Sequence, residues 1–201
     1  MKIEDLMIRN PITISANTTI SEAIACMKTN SIRHLPVVAG DQRLLGFVTL
    51  ADLKQGLIPS MVGDLTLKDL MIKAPITVAP DQDIEIAAQL IYKHKIGGLP
   101  VVEDGKLWGI ITVTDLLGAF INMMGLLSAS SRVDVVVENK SGALKKAIQV
   151  VNDAGGDIIN IAITAQKPGQ RVYYFRLTAC DTKKIRAALE AANYKVLATM
   201  G

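Results

Sequence analysis

Thr49 and Asp52 stand three residues apart in Gly46-Phe47-Val48-Thr49-Leu50-Ala51-Asp52, and Thr112 and Asp115 repeat them in Gly109-Ile110-Ile111-Thr112-Val113-Thr114-Asp115. In each, an apolar run with β-branched residues ends in a polar cap and a Leu-rich helical segment follows. A hydroxyl and a carboxylate where a strand becomes a helix lie beside free backbone N–H groups. Such a corner can take a ribose diol on the carboxylate and hold a phosphate near the helix start. The same spacing is also that of a capping box, in which both side chains only satisfy the helix's own orphan N–H groups. A single copy favours the cap; a second copy in the same context weighs toward a ligand.

Other chemistry is sparse. His34 and His94 are the only histidines. No Ser/His/Asp or Cys/His set, no metal-ligand spacing and no phosphate loop of the Walker type emerges. His94, within Tyr92-Lys93-His94-Lys95, reads as a solvated helix end. Cys26 and Cys180 lie far apart and suggest neither a disulfide framework nor a metal site. The expectation is a protein without catalysis, metal or required cofactor.

The elements that must hold the two corners come from a duplication. Shifted by 64, Asp5-Leu6-Met7 meets Asp69-Leu70-Met71, Pro11-Ile12-Thr13 meets Pro75-Ile76-Thr77, and Leu35-Pro36-Val37-Val38 meets Leu99-Pro100-Val101-Val102. The shift falls to 63 at Gly46/Gly109, so the second copy has lost one residue in the turn after Val102. Each copy opens with a Pro-led strand, Pro11–Ser15 or Pro75–Ala79. Helical spacing follows in Ile20, Ala23, Ile24 and Met27, and in Ile84, Ala87, Ala88 and Ile91. Thr19-x-x-Glu22 caps the first of these helices. A hairpin and an Asp-led helix complete each unit. A unit of about 60 residues buries too little surface to be secure alone, so the two are expected to pack with quasi-twofold symmetry.

These motifs together resemble a tandem pair of cystathionine-β-synthase (CBS) domains over about residues 1–125. The resemblance implies a regulatory module that binds adenine nucleotides, AMP or ATP, in two clefts between the copies. The first cleft would use Thr49 and Asp52 for ribose, with Met71, Ile76 and Ile96 around the base. The second would use Thr112 and Asp115, with Met7, Ile12 and Ile32. The two residues before Leu-Pro-Val-Val face phosphate in this family. They are Arg33 and His34 in copy one, a cationic donor pair, and Gly97 and Gly98 in copy two, which offer no side chain. The Asp52 cleft is therefore expected to be the stronger site for a charged nucleotide. Arg33 and His34 also read as a solvated loop pair, and the Met and Ile residues, singly, as ordinary core.

Beyond the pair the pattern changes. Leu116 to Leu127 reads as a helix with Met123 and Met124 near its end, and Gly125 and Ser128–Ser131 mark a boundary. The domains read as 1–63 and 64–127 for the two units, 128–131 for a linker and 132–201 for a third domain. There Arg132–Glu138 alternates as a strand, Asn139-Lys140-Ser141-Gly142 turns, and Ala143–Asn152 is helical. Strands Asp157–Ala165 and Arg171–Thr178 flank the turn Lys167–Gln170. A helix capped by Asp181 and strand Lys195–Thr199 end the chain. The order βαββαβ is a ferredoxin-like split, so the fold class is mixed α/β (α+β).

That order, with Gly142 between strand and helix, resembles an ACT domain, a sensing module often keyed to amino acids. The resemblance implies a ligand site at Asn139, Ser141, Gly142, Ala143 and Leu144, facing Asp157 and Ile158 of another chain in a homodimer. Backbone N–H groups at a helix start suit a carboxylate. Asn139–Gly142 equally reads as a turn and helix cap, and the domain as one that only dimerises. CBS, CBS, ACT is the order of the bacterial acetoin-utilisation B-type proteins, which implies a link to acetoin catabolism, although no residue here encodes acetoin chemistry.

The chain has 201 residues and is 50% hydrophobic but 4% aromatic, so its cores must be mainly aliphatic. No run reaches the roughly 18 apolar residues of a membrane span; the closest, Leu116 to Ala129, is short and broken by Gly118, Asn122, Gly125 and Ser128. Met1-Lys2-Ile3-Glu4-Asp5 shows no signal-peptide core, and a cytoplasmic protein is expected. Residues 1–127 hold 11 Lys+Arg against 13 Asp+Glu, and residues 128–201 hold 11 against 6, which makes the net +3. The basic part, with Lys145, Lys146, Lys183, Lys184 and Arg186, raises a nucleic-acid-binding alternative. Scattered charges without interleaved aromatics or a helix-turn-helix signal speak for solvated helix faces instead.

Overall fold

The structure, a computed structural model, describes residues 1–56, 66–126, 130–167 and 170–201. The chain divides into two compact units, Met1–Leu117 and Gly118–Gly201. The division falls inside a helix, Val113–Met123, ahead of the stretch 128–131. The boundary at 63/64 and residues 128 and 129 lie outside the described residues, while Ser130 and Ser131 already belong to a strand.

The first unit opens with a 3₁₀ turn, Ile3–Asp5, and a two-residue strand β1, Ile8–Arg9. Helix α1, Ile20–Thr29, starts at Thr19 with a complete capping box. The Thr19 N–H donates to Glu22 Oε2 at 2.8 Å and the Glu22 N–H to Thr19 Oγ1 at 3.2 Å. The buried face is Ala23, Ile24 and Met27, as the 3.6-residue period requires. Strands β2, His34–Val38, and β3, Leu44–Thr49, form an antiparallel hairpin, and α2, Leu50–Gly56, follows without a break. Copy two repeats this with α3, Leu67–Leu70; α4, Ile84–His94; β4, Gly98–Glu103; β5, Lys106–Thr112; and α5, Val113–Met123. The residue missing from copy two makes its hairpin turn tight. Asp104 and Gly105 both take positive φ, 50° and 74°, as a two-residue hairpin loop demands.

The Pro-led segments are not strands of the expected length. Each makes one parallel bridge, Ile14 to Val37 and Val78 to Val101. The Ile14 N–H donates to Pro36 O at 3.1 Å and the Val38 N–H to Ile14 O at 3.0 Å. On that side of β2 the next donor would be the N–H of Pro36, which does not exist, so the pairing cannot extend. Pro100 stops Val78 in the same way: Val78 donates to Pro100 O and accepts from Val102.

The copies exchange their leading segments. β1 pairs with β5 of copy two, Ile8 opposite Ile110 and Arg9 opposite Gly109, giving a sheet of order β1-β5-β4. Reciprocally, Ile72 of copy two bridges Phe47 of copy one. The two cores follow this exchange. Ile3 and Met7 are buried with Val78, Ile84, Leu99 and Ile111 of copy two. Leu67, Leu70 and Met71 pack with Ile14, Ile24, Leu35 and Val48 of copy one. Each such aliphatic side chain contributes roughly 1.5–3 kcal/mol by leaving water, so each leader is anchored in the other copy.

In the second unit β6, Ser130–Glu138, precedes α6, Ala143–Asp153; then come β7, Ile158–Lys167; β8, Gln170–Thr178; α7, Thr182–Ala191; and β9, Lys195–Met200. The element order is the expected βαββαβ. The four strands form one antiparallel sheet, β7-β8-β6-β9. Val133, Val135 and Val137 alternate into a core with Phe175 and Leu177, covered by Ala147 and Val151 of α6 and Ile185 and Leu189 of α7. The buried Ser131 hydroxyl joins β6 to Cys180, accepting from its N–H at 3.0 Å and donating to its carbonyl at 3.2 Å. The turn at 168–169 lies outside the described residues. No helix among the described residues is long and apolar enough to cross a membrane.

Candidate functional site

Both Thr/Asp corners close on themselves in the same way. The Thr49 N–H and hydroxyl donate to Asp52 Oδ2 at 2.9 and 2.7 Å, and the Asp52 N–H donates to Thr49 Oγ1 at 3.3 Å. At the second corner the Thr112 N–H and hydroxyl donate to Asp115 Oδ2 at 2.8 and 2.7 Å. The capping box is complete at Thr49/Asp52, only its carboxylate half is made at Thr112/Asp115, and in both it accounts for only half of the carboxylate. Every bond these carboxylates accept falls on Oδ2; among the described residues Oδ1 of each is left without a protein donor.

The corners open into one cavity of about 1190 Å³ within the first unit, above the roughly 300–1,000 Å³ usual for a single small-molecule site. The two expected clefts are thus one continuous space. Of the residues expected in them, Thr49, Asp52, Arg33, His34, Ile76, Ile96, Thr112, Asp115, Ile12, Ile32, Gly97 and Gly98 all line it. Met7 and Met71 do not. Each lies over the glycine that opens the other copy's motif: a Cβ on Gly109 would come within 2.7 Å of Met7 Sδ, and one on Gly46 within 2.8 Å of Met71 Sδ. The methionines are core, and the glycines are required because a crossing leader leaves no room for a side chain.

The walls belong to the residues after the methionines, Ile8 and Ile72, which the sequence reading missed. In an extended segment neighbouring side chains point to opposite faces, so burying Met7 and Met71 turns Ile8 and Ile72 toward the cavity. They are 50% and 45% exposed, and Ile12 is 41% exposed. Phe47, Lys54 and Lys95 were also missed. Phe47 and Lys54 flank the first corner in sequence, and that proximity was the available signal.

Arg33 is exposed at the cavity wall, but His34 does not stand beside it as a second cation. The His34 ring stacks on Phe47, centroids 5.8 Å apart and planes 16° from parallel, and is half-buried. Burial chiefly, and then the Arg33 guanidinium, push its pKa below the ordinary imidazole value; Asp52 pulls weakly the other way. The neutral form is thereby favoured.

In the second unit Asn139, Ser141 and Gly142 are exposed, and Gly142 is the N-cap of α6 with φ 78°. A Cβ there would meet nothing within 4 Å, so glycine serves the left-handed turn. Ala143, Leu144 and Ile158 pack against the core, and Asp157 is exposed. Among the described residues no group of three or more His, Cys, Asp or Glu is placed to hold a metal.

The protein-family model of the CBS domain matches twice, over residues 3–58 and 67–122. These spans take in more than half of the chain, which belongs to the CBS-domain family. Among solved structures it is similar to the CBS domain pair of protein MJ0100 in complex with 5′-methylthioadenosine and S-adenosyl-L-methionine, at 30% identity and TM-score 0.56, covering 60% of this chain and 99% of that one. It is also similar to a protein proposed for acetoin utilization, AcuB of Vibrio cholerae, at 36% identity and TM-score 0.56, covering 61% and 92%. A third similar structure is CBSX2 in complex with AMP, at 29% identity and TM-score 0.54, covering 61% and 97%. Among curated proteins it is 37% identical over 119 residues to inosine-5′-monophosphate dehydrogenase of Methanocaldococcus jannaschii, 58% of this chain but 23% of that protein. The chain thus spans about a quarter of the curated relative, whose enzyme name belongs to a much longer molecule. CBS pairs are regulatory modules, and two of these structural neighbours, the MJ0100 pair and CBSX2, bind adenosine compounds.

Proposed function

We propose that the chain is a non-catalytic regulatory sensor that binds an adenine nucleotide, AMP or ATP, in the cavity of the CBS pair. The observation that carries this is the pairing of an unengaged Oδ1, on both Asp52 and Asp115, with apolar walls exposed to the same cavity. A ribose diol donates to a carboxylate oxygen, and a purine ring covers isoleucines that would otherwise face water. Ile12, Ile32, Ile76 and Ile96 with Ile8 and Ile72 provide that surface, and Arg33 offers a planar cation for phosphate. AMP in one similar CBS structure, and 5′-methylthioadenosine with S-adenosyl-L-methionine in another, support the ligand class.

The second unit fits an ACT domain of ferredoxin-like arrangement, in which strand one lies between strands three and four, as β6 lies between β8 and β9. An amino acid would bind at Asn139, Ser141, Gly142, Ala143 and Leu144, against Asp157 and Ile158 of a second copy in a homodimer. The similarity to AcuB favours the same family of acetoin-utilisation proteins, and the regulated protein would be a separate cytoplasmic partner.

Thermal denaturation with a panel of nucleotides and amino acids tests both halves. A ligand at about 100 times its dissociation constant adds roughly 2.7 kcal/mol, which at about 2–4 °C per kcal/mol is readily measured. AMP or ATP is expected to raise the melting temperature, and less so in Asp52→Ala. No shift with any adenosine compound removes the sensor reading.

A further inference from the structure

Arg33 and Gly97 hold the same place relative to their corners. The Leu50 N–H donates to Arg33 O at 2.9 Å, and the Val113 N–H donates to Gly97 O at 3.1 Å, each at the start of the corner's helix. Their side-chain positions are furnished very differently. Arg33 projects at the cavity wall. Above Gly97 the space is already taken: a Cβ there would lie 2.5 Å from His34 Nε2 and 2.8 Å from His34 Cε1. The imidazole of copy one thus lies across the bare backbone of copy two, and its stack on Phe47 holds it there. A second difference has the same sense. Lys54 of α2 lines the cavity, while its counterpart 63 residues on, Leu117, does not.

We propose that His34 makes the Asp115 corner a site for an adenosine ligand without phosphate, by filling the space above Gly97 where a counterpart of Arg33 would stand. A nucleoside monophosphate then goes to the Asp52 corner alone. This rests on the nucleotide-binding reading above and adds which ligand class each corner takes. The chemistry is direct. A phosphate needs cationic or N–H donors to replace its water, and the Asp52 corner has Arg33 and Lys54. The Asp115 corner has a glycine under a ring whose pKa is held down, so the place that Arg33 fills at the other corner offers neither donor charge nor room. An adenosine bearing an uncharged 5′ group has no such need and lies against the ring. Lys95 lines the same cavity and is the cation on which a phosphate at the Asp115 corner would have to draw.

Titration calorimetry on the full chain tests this with AMP and 5′-methylthioadenosine as probes. The unmodified chain is expected to bind one AMP, and with AMP saturating to bind one 5′-methylthioadenosine that Asp115→Ala abolishes. Gly97→Arg alone gains no second AMP, because the ring blocks the new side chain. His34→Ala with Gly97→Arg, which restores both space and cation, binds two. Two AMP in the unmodified chain, a second AMP in Gly97→Arg alone, or one AMP in the double variant with an unchanged melting temperature overturns the proposal. Should the double variant fail to fold, the AMP and 5′-methylthioadenosine counts on the unmodified chain decide. Absence of heat with every adenosine probe is a different result: it brings down the binding reading itself, and the assignment of corners with it.

Discussion

Thr66 and Asp69 repeat the bonding of the two corners but do not line the cavity. The Thr66 N–H and hydroxyl donate to Asp69 Oδ2 at 2.9 and 2.6 Å, in the pattern seen at Thr49 and Asp52. Even Gly63 stands three residues before Thr66, and Gly63-Asp64-Leu65-Thr66 departs from the corner motif only in placing Asp64 where an apolar residue should be. Yet Thr66 and Asp69 are exposed and start a four-residue helix, whereas Thr49, Asp52, Thr112 and Asp115 are part-buried at the ends of β3 and β5. The Thr-x-x-Asp set builds a helix start wherever it occurs. It becomes a candidate binding corner only when a buried strand delivers it to a cavity with apolar walls.

Substitutions can break this contrast. The largest effect is expected from Asp52→Ala. Loss of a charged hydrogen-bond acceptor costs roughly 1.5–3 kcal/mol, so calorimetry should show AMP affinity falling about 10- to 100-fold. The cap is lost as well, for about 1 kcal/mol of stability. Gly109→Val comes next: its side chain collides with Met7 Sδ and Ile8 O, and overpacking of this kind costs about 1–3 kcal/mol, read as a lower denaturation midpoint. Asp52→Asn sharpens the comparison, since the amide oxygen still caps the helix; stability should hold while AMP affinity drops. His34→Gln tests the ring. Because the folded chain holds the His34 pKa below that of the unfolded chain, unfolded His34 takes up its proton first as pH falls. Stability contributed by neutral His34 is complete above the ordinary imidazole value near 6.5 and declines as pH drops toward the lowered one; the variant should lack that part of the decline. Asp69→Ala should have the smallest effect, a slight loss of melting temperature and unchanged AMP affinity. The Thr66 hydroxyl and then its N–H hold Asp69 below the usual carboxylate range, so this contribution fades only in acid, as pH falls through the lowered pKa.

The duplication, the hairpins and both corners were legible because their causes are local: period-2 and period-3.6 patterning, a capping pair, a turn. The second unit's βαββαβ order was legible for the same reason, with Val133, Val135 and Val137 alternating as a half-covered strand must. Met7 and Met71 were misplaced by one residue. Their facing is set by the strand across from them, Gly109 for Met7 and Gly46 for Met71, and no local pattern encodes a partner in the other copy. Reading Gly97 as merely lacking a side chain missed the ring lying over it, again a contact between copies. Pro36 and Pro100 did carry a signal that went unread, since a proline in mid-strand limits what can pair on its N–H side.

Because each leader is seated in the opposite copy, neither half can serve as its own template. Residues 1–56 alone would lack Leu67, Leu70 and Met71 beneath their hairpin, and copy two alone would lack Ile3 and Met7. Closure of the long loop between Ile8 and Ile110 must precede completion of the core of copy two, which favours slow, all-or-none folding over stepwise assembly. Interlacing of this kind makes the duplication irreversible: once the leaders have changed places, deleting one repeat does not return the ancestral single unit but leaves a fragment with an open flank.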